Sequence, residues 1–488
     1  MMLGVTLLSA LVALPAAWLL ERTDLPHQHT LRRWLTLPYA IPSFLNAIAW
    51  IVLANPNVGW MKLISEQYLG YDLSLNIYSM GGMIFVETSC LFSILLLTFA
   101  AGLRKMDPSL EEAARMSGAG PWRSFFSITM PLMKGPLLAG FLSVSTATVA
   151  SFGVPAMIGG PARRFVLTTG IFSLLKEGSS TAMNQALSIA AAISVFALLS
   201  SWMISRSLRS SSALISGKSA RPSRQKLGPW GFWAAGFLWF LIGIFFILPA
   251  LTLLASSFQL DTSQFNAAAF GTRSWRYVFF ELTEFKRAFF NSWILAVVAA
   301  GSIVLLALLV TVEGRRTRLR ALFETLSLAL YSLPGTAMAL LLIVAVSAFP
   351  GGHFLMNGLG ILLLAYTLKY FSLGIRTVGS SVDLVHPSLI EAAQLSGASR
   401  FQILLRIWFP LIKTALGAAF ILCLLPCLAE LTMTALLYGP GTENLGVLIF
   451  QLQEYADRTS AAVIGSLILI AILGLQKLSA HTSLEENV

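Results

Sequence analysis

The sequence predicts an all-α polytopic membrane protein built from two parallel repeats, and three observations lead there. The chain has 488 residues, is 56% hydrophobic and only 11% charged, whereas a soluble domain carries about 25% charged residues. Its apolar residues fall in blocks of roughly 18–25, long enough as helix to cross a hydrocarbon core about 30 Å thick. A twelve-residue loop sequence also occurs twice, at 108–119 and 387–398, between blocks of the same kind. A β-barrel is excluded because its strands alternate in character instead of running apolar.

Eleven spans follow in order: 2–20, 34–55, 81–103, 134–157 and 184–205, then 230–256, 291–312, 322–348, 359–376, 412–437 and 460–478. The stretch 207–228 between the fifth and sixth is rich in Ser, Arg and Lys and reads as a polar linker. It divides a first half, 1–206, from a second, 229–488. The apolar run Leu3–Leu20, with Pro15-Ala16-Ala17, has the look of a secretory leader. Its basic residues follow the run instead of preceding it, and the repeat gives it a counterpart, so it is read as a span. Pro42 and Pro334 are matched kink candidates, since proline removes a helix hydrogen bond.

Orientation comes from the basic residues. One set of loops, with the adjoining helix ends, holds 24 of the 33 Lys and Arg: Arg22 to Arg33, Arg104 to Lys134, the linker, Arg315 to Arg320, Lys369 to Lys413, and Lys477. That side is cytoplasmic by the positive-inside rule, which puts the C-terminus inside. The net charge of +11 is thereby ascribed to cytoplasmic loops, and no nucleic-acid partner is expected. The three cysteines, Cys90, Cys423 and Cys427, lie in apolar blocks with no His or acid at ligand spacing, so they read as small packing residues and no metal site is expected.

The repeat sets the domain plan. Pro108-Ser-Leu-Glu-Glu-Ala-Ala-Arg-Met-Ser-Gly-Ala119 returns as Pro387-Ser-Leu-Ile-Glu-Ala-Ala-Gln-Leu-Ser-Gly-Ala398. Over 107–134 against 386–413, 13 of 28 positions are identical. Upstream, Glu21 and Pro42 match Glu313 and Pro334 at an offset of 292. Both copies have the same sense, so the repeat is parallel. At that offset Met1 falls on Trp293, so the first half is expected to lack the opening helix that 230–256 supplies to the second. A start codon placed too far downstream, a truncated chain or a true eleven-span protein are the readings; the coding DNA upstream of Met1 separates them.

Each loop opens Pro-Ser-x-x-Glu, a capping-box pattern in which Ser109 or Ser388 accepts from the N3 amide and Glu112 or Glu391 reaches back. Ala113-Ala114 and Ala392-Ala393 favour helix with little bulk. Gly118 and Gly397 stand where a helix ends on a left-handed residue. A second helical stretch then runs to Pro131 or Pro410. A short, capped helix with a flat alanine face suits a groove on a partner.

Those residues, Glu112-Ala113-Ala114 through Gly118 to Pro131 and Glu391-Ala392-Ala393 through Gly397 to Pro410, resemble the "EAA" loops of ABC importer permeases over essentially the whole chain. The resemblance implies that each loop docks one copy of an ATP-binding subunit, so two copies are expected per chain. It also implies an external substrate-binding protein and a place in the bacterial inner membrane. No Gly-x-x-x-x-Gly-Lys-[Ser/Thr] phosphate loop occurs, so nucleotide is expected on the partner subunits, with no cofactor held here and no enzyme activity of the chain's own.

The fused halves, with Ser151-Phe-Gly-Val-Pro-Ala-Met-Ile-Gly-Gly160 and Leu428-Ala-Glu-Leu-Thr-Met-Thr-Ala-Leu-Leu-Tyr-Gly-Pro440 after the loops, resemble ferric-iron-type permeases. Thiamine, phosphonate and polyamine permeases stay open as relatives. Polar groups inside spans are the candidates for a substrate pathway: Ser151, Gly153, Pro155, Glu430, Thr432 and Thr434. Gly153 and Pro155 are read as a hinge, packing or a span end; Glu430 as a cavity carboxylate or a buried, hydrogen-bonded acid. Glu87 reads as an interfacial acid, and Lys369 could reach inward along its stem. An ion-gradient-driven secondary transporter is the reading from another class.

Overall fold

A computed structural model of the chain describes residues 1–107, 109–215, 224–262, 264–314, 317–356, 358–455 and 457–485. Residues 216–223 of the linker, Pro108, Arg315 and Arg316 fall outside them. The described residues form helices joined by turns and irregular segments, with no strand among them beyond two isolated backbone bridges, Thr23 with Gln225 and Gln259 with Phe270. They divide into two compact units, Met1–Thr272 and Arg273–Val488.

In the first unit the principal helices are α1 (Met2–Arg22), α2 (Gln28–Thr36), α3 (Ser43–Ala54), α4 (Met80–Lys105), α5 (Ser109–Met116), α6 (Lys134–Ala150), α7 (Leu167–Glu177), α8 (Ser180–Ile215), α9 (Trp230–Ile242) and α10 (Leu248–Ser256). In the second they are α11 (Thr283–Glu313), α12 (Arg318–Ser332), α13 (Gly335–Ser347), α14 (Leu359–Leu384), α15 (Pro387–Leu395), α16 (Phe409–Leu428), α17 (Thr434–Leu437), α18 (Leu445–Glu454) and α19 (Arg458–Glu485).

Among the described residues eight helices are long and apolar enough to cross a membrane, and up to eleven spans result when three bent pairs each count as one. Two bends fall at the matched prolines: 94° between Gln28–Ala40 and α3, and 112° between α12 and α13. Pro42 and Pro334 are the residues just before α3 and α13, where a missing N–H and an extended φ/ψ stop the preceding helix. The third bend, 63°, separates Phe125–Leu132 from α6.

Small residues let the helices of the first unit approach closely, which is how spans associate where lipid offers no hydrophobic contrast. Ala13, Ala16 and Ala17 of α1 are fully buried against Phe92, Leu95 and Phe99 of α4. A Cβ added at Gly140 would fall 2.3 Å from Leu95 Cδ1, so α6 crosses α4 at a glycine. The same core takes in Leu238, Leu241 and Ile242 of α9 and the adjoining Phe245. Phe245 meets Phe92 with ring centroids 5.3 Å apart, and Trp60 Nε1 donates to Gln259 Oε1 at 3.0 Å. The compact units and the repeat halves therefore differ in boundary. The span 230–256, counted with the second half from the repeat, packs in the first unit because its aromatic face completes the α1–α4 core.

The second unit is built on α11, α14 and α16. Ala296, Ala299, Ala300 and Ile303 of α11 pack with Ile361, Leu362, Ala365 and Tyr366 of α14 and with Cys423 and Cys427 of α16. Toward the loop, Ala307, Ile375, Val378 and Trp408 form a further cluster.

Candidate functional site: paired loops and span breaks

The paired loops are helices α5 and α15. Both end as their glycines require. Gly118 has φ of 80° and Gly397 of 77°, the region only glycine enters freely. Ala119 N donates to Ala114 O at 2.9 Å and Ala398 N to Ala393 O at 3.0 Å, the 6→1 bond of a Schellman end.

The starts correct the expected capping box. Ser388 N donates to His386 Nδ1 at 3.3 Å and Ser109 N to Asp107 Oδ1 at 2.9 Å. The cap is thus the residue before the proline, not the serine after it. Pro387 occupies the first helical position, which its fixed φ suits, and this moves the N-cap back to His386. Asp107 holds the matched place, and the bonds from Ser109 keep its carboxyl below the usual aspartate range. Ser109 and Ser388 are exposed, as are Glu112 and Glu391. A genuine capping box appears one step later, at Ser399 and Gln402, opening the stretch that leads to Pro410.

Ala113 and Ala392 are exposed, and Ala114 and Ala393 are half-buried. The alanine face is therefore half seat and half surface. Beside it stand two side chains that sequence reasoning passed over: Met116 and Leu395 are each 90% exposed and sit at matched positions, 279 residues apart. An apolar residue kept at the same place in both short polar helices was the available signal. Pro131 and Pro410 are exposed and lie where the next span begins, Pro410 in the first turn of α16.

The span breaks hold the pathway candidates. Helix α6 ends at Ala150, and Ser151 leaves it in extended backbone. Ser151 Oγ donates to Glu87 Oε1, and Thr168 Oγ1 donates to Ser151 O at 2.5 Å. Glu87 is buried and serves as an internal acceptor at this break. In the second unit Glu430 is buried, and its carboxylate accepts from Met433 N, Thr434 N and Thr434 Oγ1, each at 3.0 Å. Asn444 Nδ2 donates to Glu430 O at 2.5 Å and to Tyr366 Oη at 3.1 Å, and Tyr366 Oη pairs with Thr434 Oγ1 at 2.6 Å. Glu430 thus caps the start of α17.

At the offset of 279, Tyr366 matches Glu87 and Glu430 matches Ser151. Each half keeps one buried carboxylate at this crossing, on the inner helix in one and on the span break in the other. Lys369 Nζ donates to Tyr331 O at 2.9 Å and also to Leu333 O, covering carbonyls that the break before Pro334 leaves open.

Glycine swaps sides in the same manner. A Cβ at Gly153 would lie 2.8 Å from Phe44 Cβ, and one at Gly335 would lie 2.8 Å from Thr432 Cγ2. Gly153 and Thr432 are matched positions, so one break supplies its own glycine and the other borrows it from α13. Pro155 opens a wide turn, Pro155–Gly159, after the break. Gly153→Val is expected to force these backbones apart and lower stability by about 1–3 kcal/mol, read as a lower melting temperature of the detergent-solubilised chain; an unchanged melting temperature would show that the contact yields freely.

A family model described as "Binding-protein-dependent transport system inner membrane component" matches residues 11–210 and 303–479. The ferric transport system permease protein FbpB of Actinobacillus pleuropneumoniae is 23% identical over 90% of this chain and 64% of that protein. The Fe(3+)-transport system permease protein FbpB 2 of Haemophilus influenzae is 24% identical over 91% of this chain and 81% of its own length. The sulfate transport system permease protein CysW of Synechocystis sp. is 28% identical over 32% of this chain and 58% of that protein. The chain thus spans less than two thirds of the first and third of these relatives.

Proposed function

The chain belongs to the family of binding-protein-dependent transport system inner membrane components, and from that premise we propose that it is the membrane-spanning subunit of an ATP-driven importer whose cargo is ferric iron. In this reading α5 and α15 face the cytoplasm, and each docks one ATP-binding subunit. An external binding protein delivers the substrate, and the C-terminus lies on the cytoplasmic side of the inner membrane.

The observation that carries the reading is the duplicated docking surface. Two short helices end on left-handed glycines, and each presents one almost fully exposed apolar side chain, Met116 or Leu395. Exposed, isolated apolar anchors on a small helix are what a groove on a partner buries. Hydrolysis of ATP then falls to the partner, and this chain acts as a transport component.

Ferric iron is favoured because the two ferric-type relatives align through both halves, over 90% and 91% of the chain, whereas the sulfate relative covers 32%. Sulfate, thiamine, phosphonate and polyamine are the other cargoes to assay. The span breaks support a path without a strong binding site, since Ser151, Glu430 and Thr434 spend their polar atoms on internal bonds. Capture is then the task of the binding protein.

The decisive measurement is uptake of radiolabelled ferric iron by cells lacking the gene, with and without the restored chain. Restoration is expected to raise ATP-dependent uptake at least about tenfold, equivalent to about 1.4 kcal/mol. Unchanged iron uptake with loss of another nutrient rejects iron. Gradient-driven uptake by the chain alone in liposomes, with no ATPase present, would instead establish a secondary transporter.

A further inference from the structure

The two docking loops are alike in sequence yet are held in different ways. Under α5 lies a polar link. Arg22, at the end of α1, is 2% exposed, Glu111 of α5 is 6% exposed, and Thr129 is fully buried. Arg22 Nε stands 3.4 Å from Glu111 Oε2, and Thr129 Oγ1 donates to Glu111 Oε1 at 2.7 Å. Next to Arg22, Glu21 pairs with Arg32 at 2.7 Å and with Arg104 at 3.5 Å. This ties α1 to the end of α4 as well.

Carried to the second half, the three positions are Gly314, Ile390 and Trp408. Gly314 and Ile390 carry no polar side-chain group, and Trp408 offers only an indole N–H. Ile390 packs against the apolar cluster that holds buried Trp408. No longer side chain fits at Gly314, where a Cβ would fall 3.0 Å from Arg320 Cβ. Beside this seat a cleft of about 710 Å³ opens, lined by Ile390, Phe401 and Trp408 and by the charged Glu313, Glu391 and Arg400. Arg400 and Glu313 form an ion pair at 3.4 Å, but both are exposed, unlike the buried pair under α5.

The difference is mechanical. A buried charge pair is directional, and separating it leaves a charge without its partner in a poor solvent. Apolar contact is non-directional and changes little when one surface tilts over another. We propose that Arg22, Glu111 and Thr129 are positioning residues that make α5 and the cytoplasmic end of α1 one rigid body. The second docking helix, α15, rests on an apolar seat over a cleft and tilts on it. This rests on the docking reading above. It gives the two loops separate work: the first transmits the ATPase movement into the spans, and the second accommodates it.

The test uses the full chain, alone in detergent and together with its ATP-binding subunits and binding protein in proteoliposomes. Glu111→Gln keeps an acceptor for Thr129 and removes the charge. It is expected to raise amide hydrogen exchange across 109–116 about tenfold in the chain alone. In the complex it should leave ATPase copurification and ATP hydrolysis within about twofold while transport per ATP falls about tenfold. A purely structural role would lower copurification, ATP hydrolysis and transport together. The exchanged pair Arg22→Glu with Glu111→Arg is expected to recover at least half of the loss. Ile390→Gln, facing the seat in the second half, is expected to lower transport per ATP less than threefold.

Wild-type exchange in Glu111→Gln, wild-type transport per ATP, failure of the exchanged pair to recover transport, or equal uncoupling by Ile390→Gln would each overturn the proposal. A wild-type chain that retains no ATP-binding subunit overturns the docking reading. The exchange measurement needs no ATPase and so separates that failure from failure of the link itself.

Discussion

A chain carrying Met116→Asp and Leu395→Asp is expected to lose its ATP-binding subunits and, with them, uptake. Both side chains are 90% exposed, so neither contributes appreciably to the fold of its own unit, and the doubly substituted chain should insert and purify normally. Truncating an apolar anchor at the centre of an interface costs about 2 kcal/mol or more, and a carboxylate placed in the same pocket adds the cost of burying an unpaired charge. Each change is therefore expected to weaken association at least about 30-fold, and the pair should abolish it in a pull-down. Single variants separate the two loops. Unchanged copurification and uptake by the double variant would show that α5 and α15 are connectors and not docking elements.

The second large effect is expected at Glu430→Ala. Its carboxylate accepts bonds from Met433 N, Thr434 N and Thr434 Oγ1, all buried. Bonds to a charged group contribute about 1.5–3 kcal/mol each, and a buried donor left without its acceptor costs a similar amount. The contributions are not additive, so a loss of about 3 kcal/mol or more is expected, with the melting temperature of the solubilised chain lower by about 6–12 °C. Glu430→Gln keeps an acceptor and should lose about half as much. Thr434 and Tyr366 share the network, so their variants should combine with Glu430→Ala less than additively. An unchanged melting temperature with abolished uptake would assign Glu430 to the substrate pathway.

The spans were legible because their signal is local: a run of apolar residues, closed by proline or glycine, needs no knowledge of its neighbours. The breaks at Pro42 and Pro334 and the left-handed Gly118 and Gly397 follow from the same local rules. The caps were misplaced by one proline, since Ser388 reads as a cap until Pro387 takes the first helical position. The link from Arg22 to Glu111 was hidden for a different reason. Its partners lie 89 residues apart, and an acidic residue next to Glu112 reads as another surface charge until α1 is placed beside α5. Ser151 and Glu430 showed that a polar residue in a span marks a place where backbone groups need partners as readily as a path for cargo. Which core takes in 230–256 was also beyond the sequence, because its apolar face does not say what it completes.

That last feature bears on how such a chain could be divided. The polar stretch 207–228 looks like the natural seam, and a geneticist splitting the gene would cut there. Yet Gln225 is bonded to the backbone on either side of Thr23, and α9 and the adjoining Phe245 fill the core around Phe92. A fragment ending at 206 would leave that greasy surface bare and hand its cover to another polypeptide. The cut that respects the protein's own architecture falls between Thr272 and Arg273.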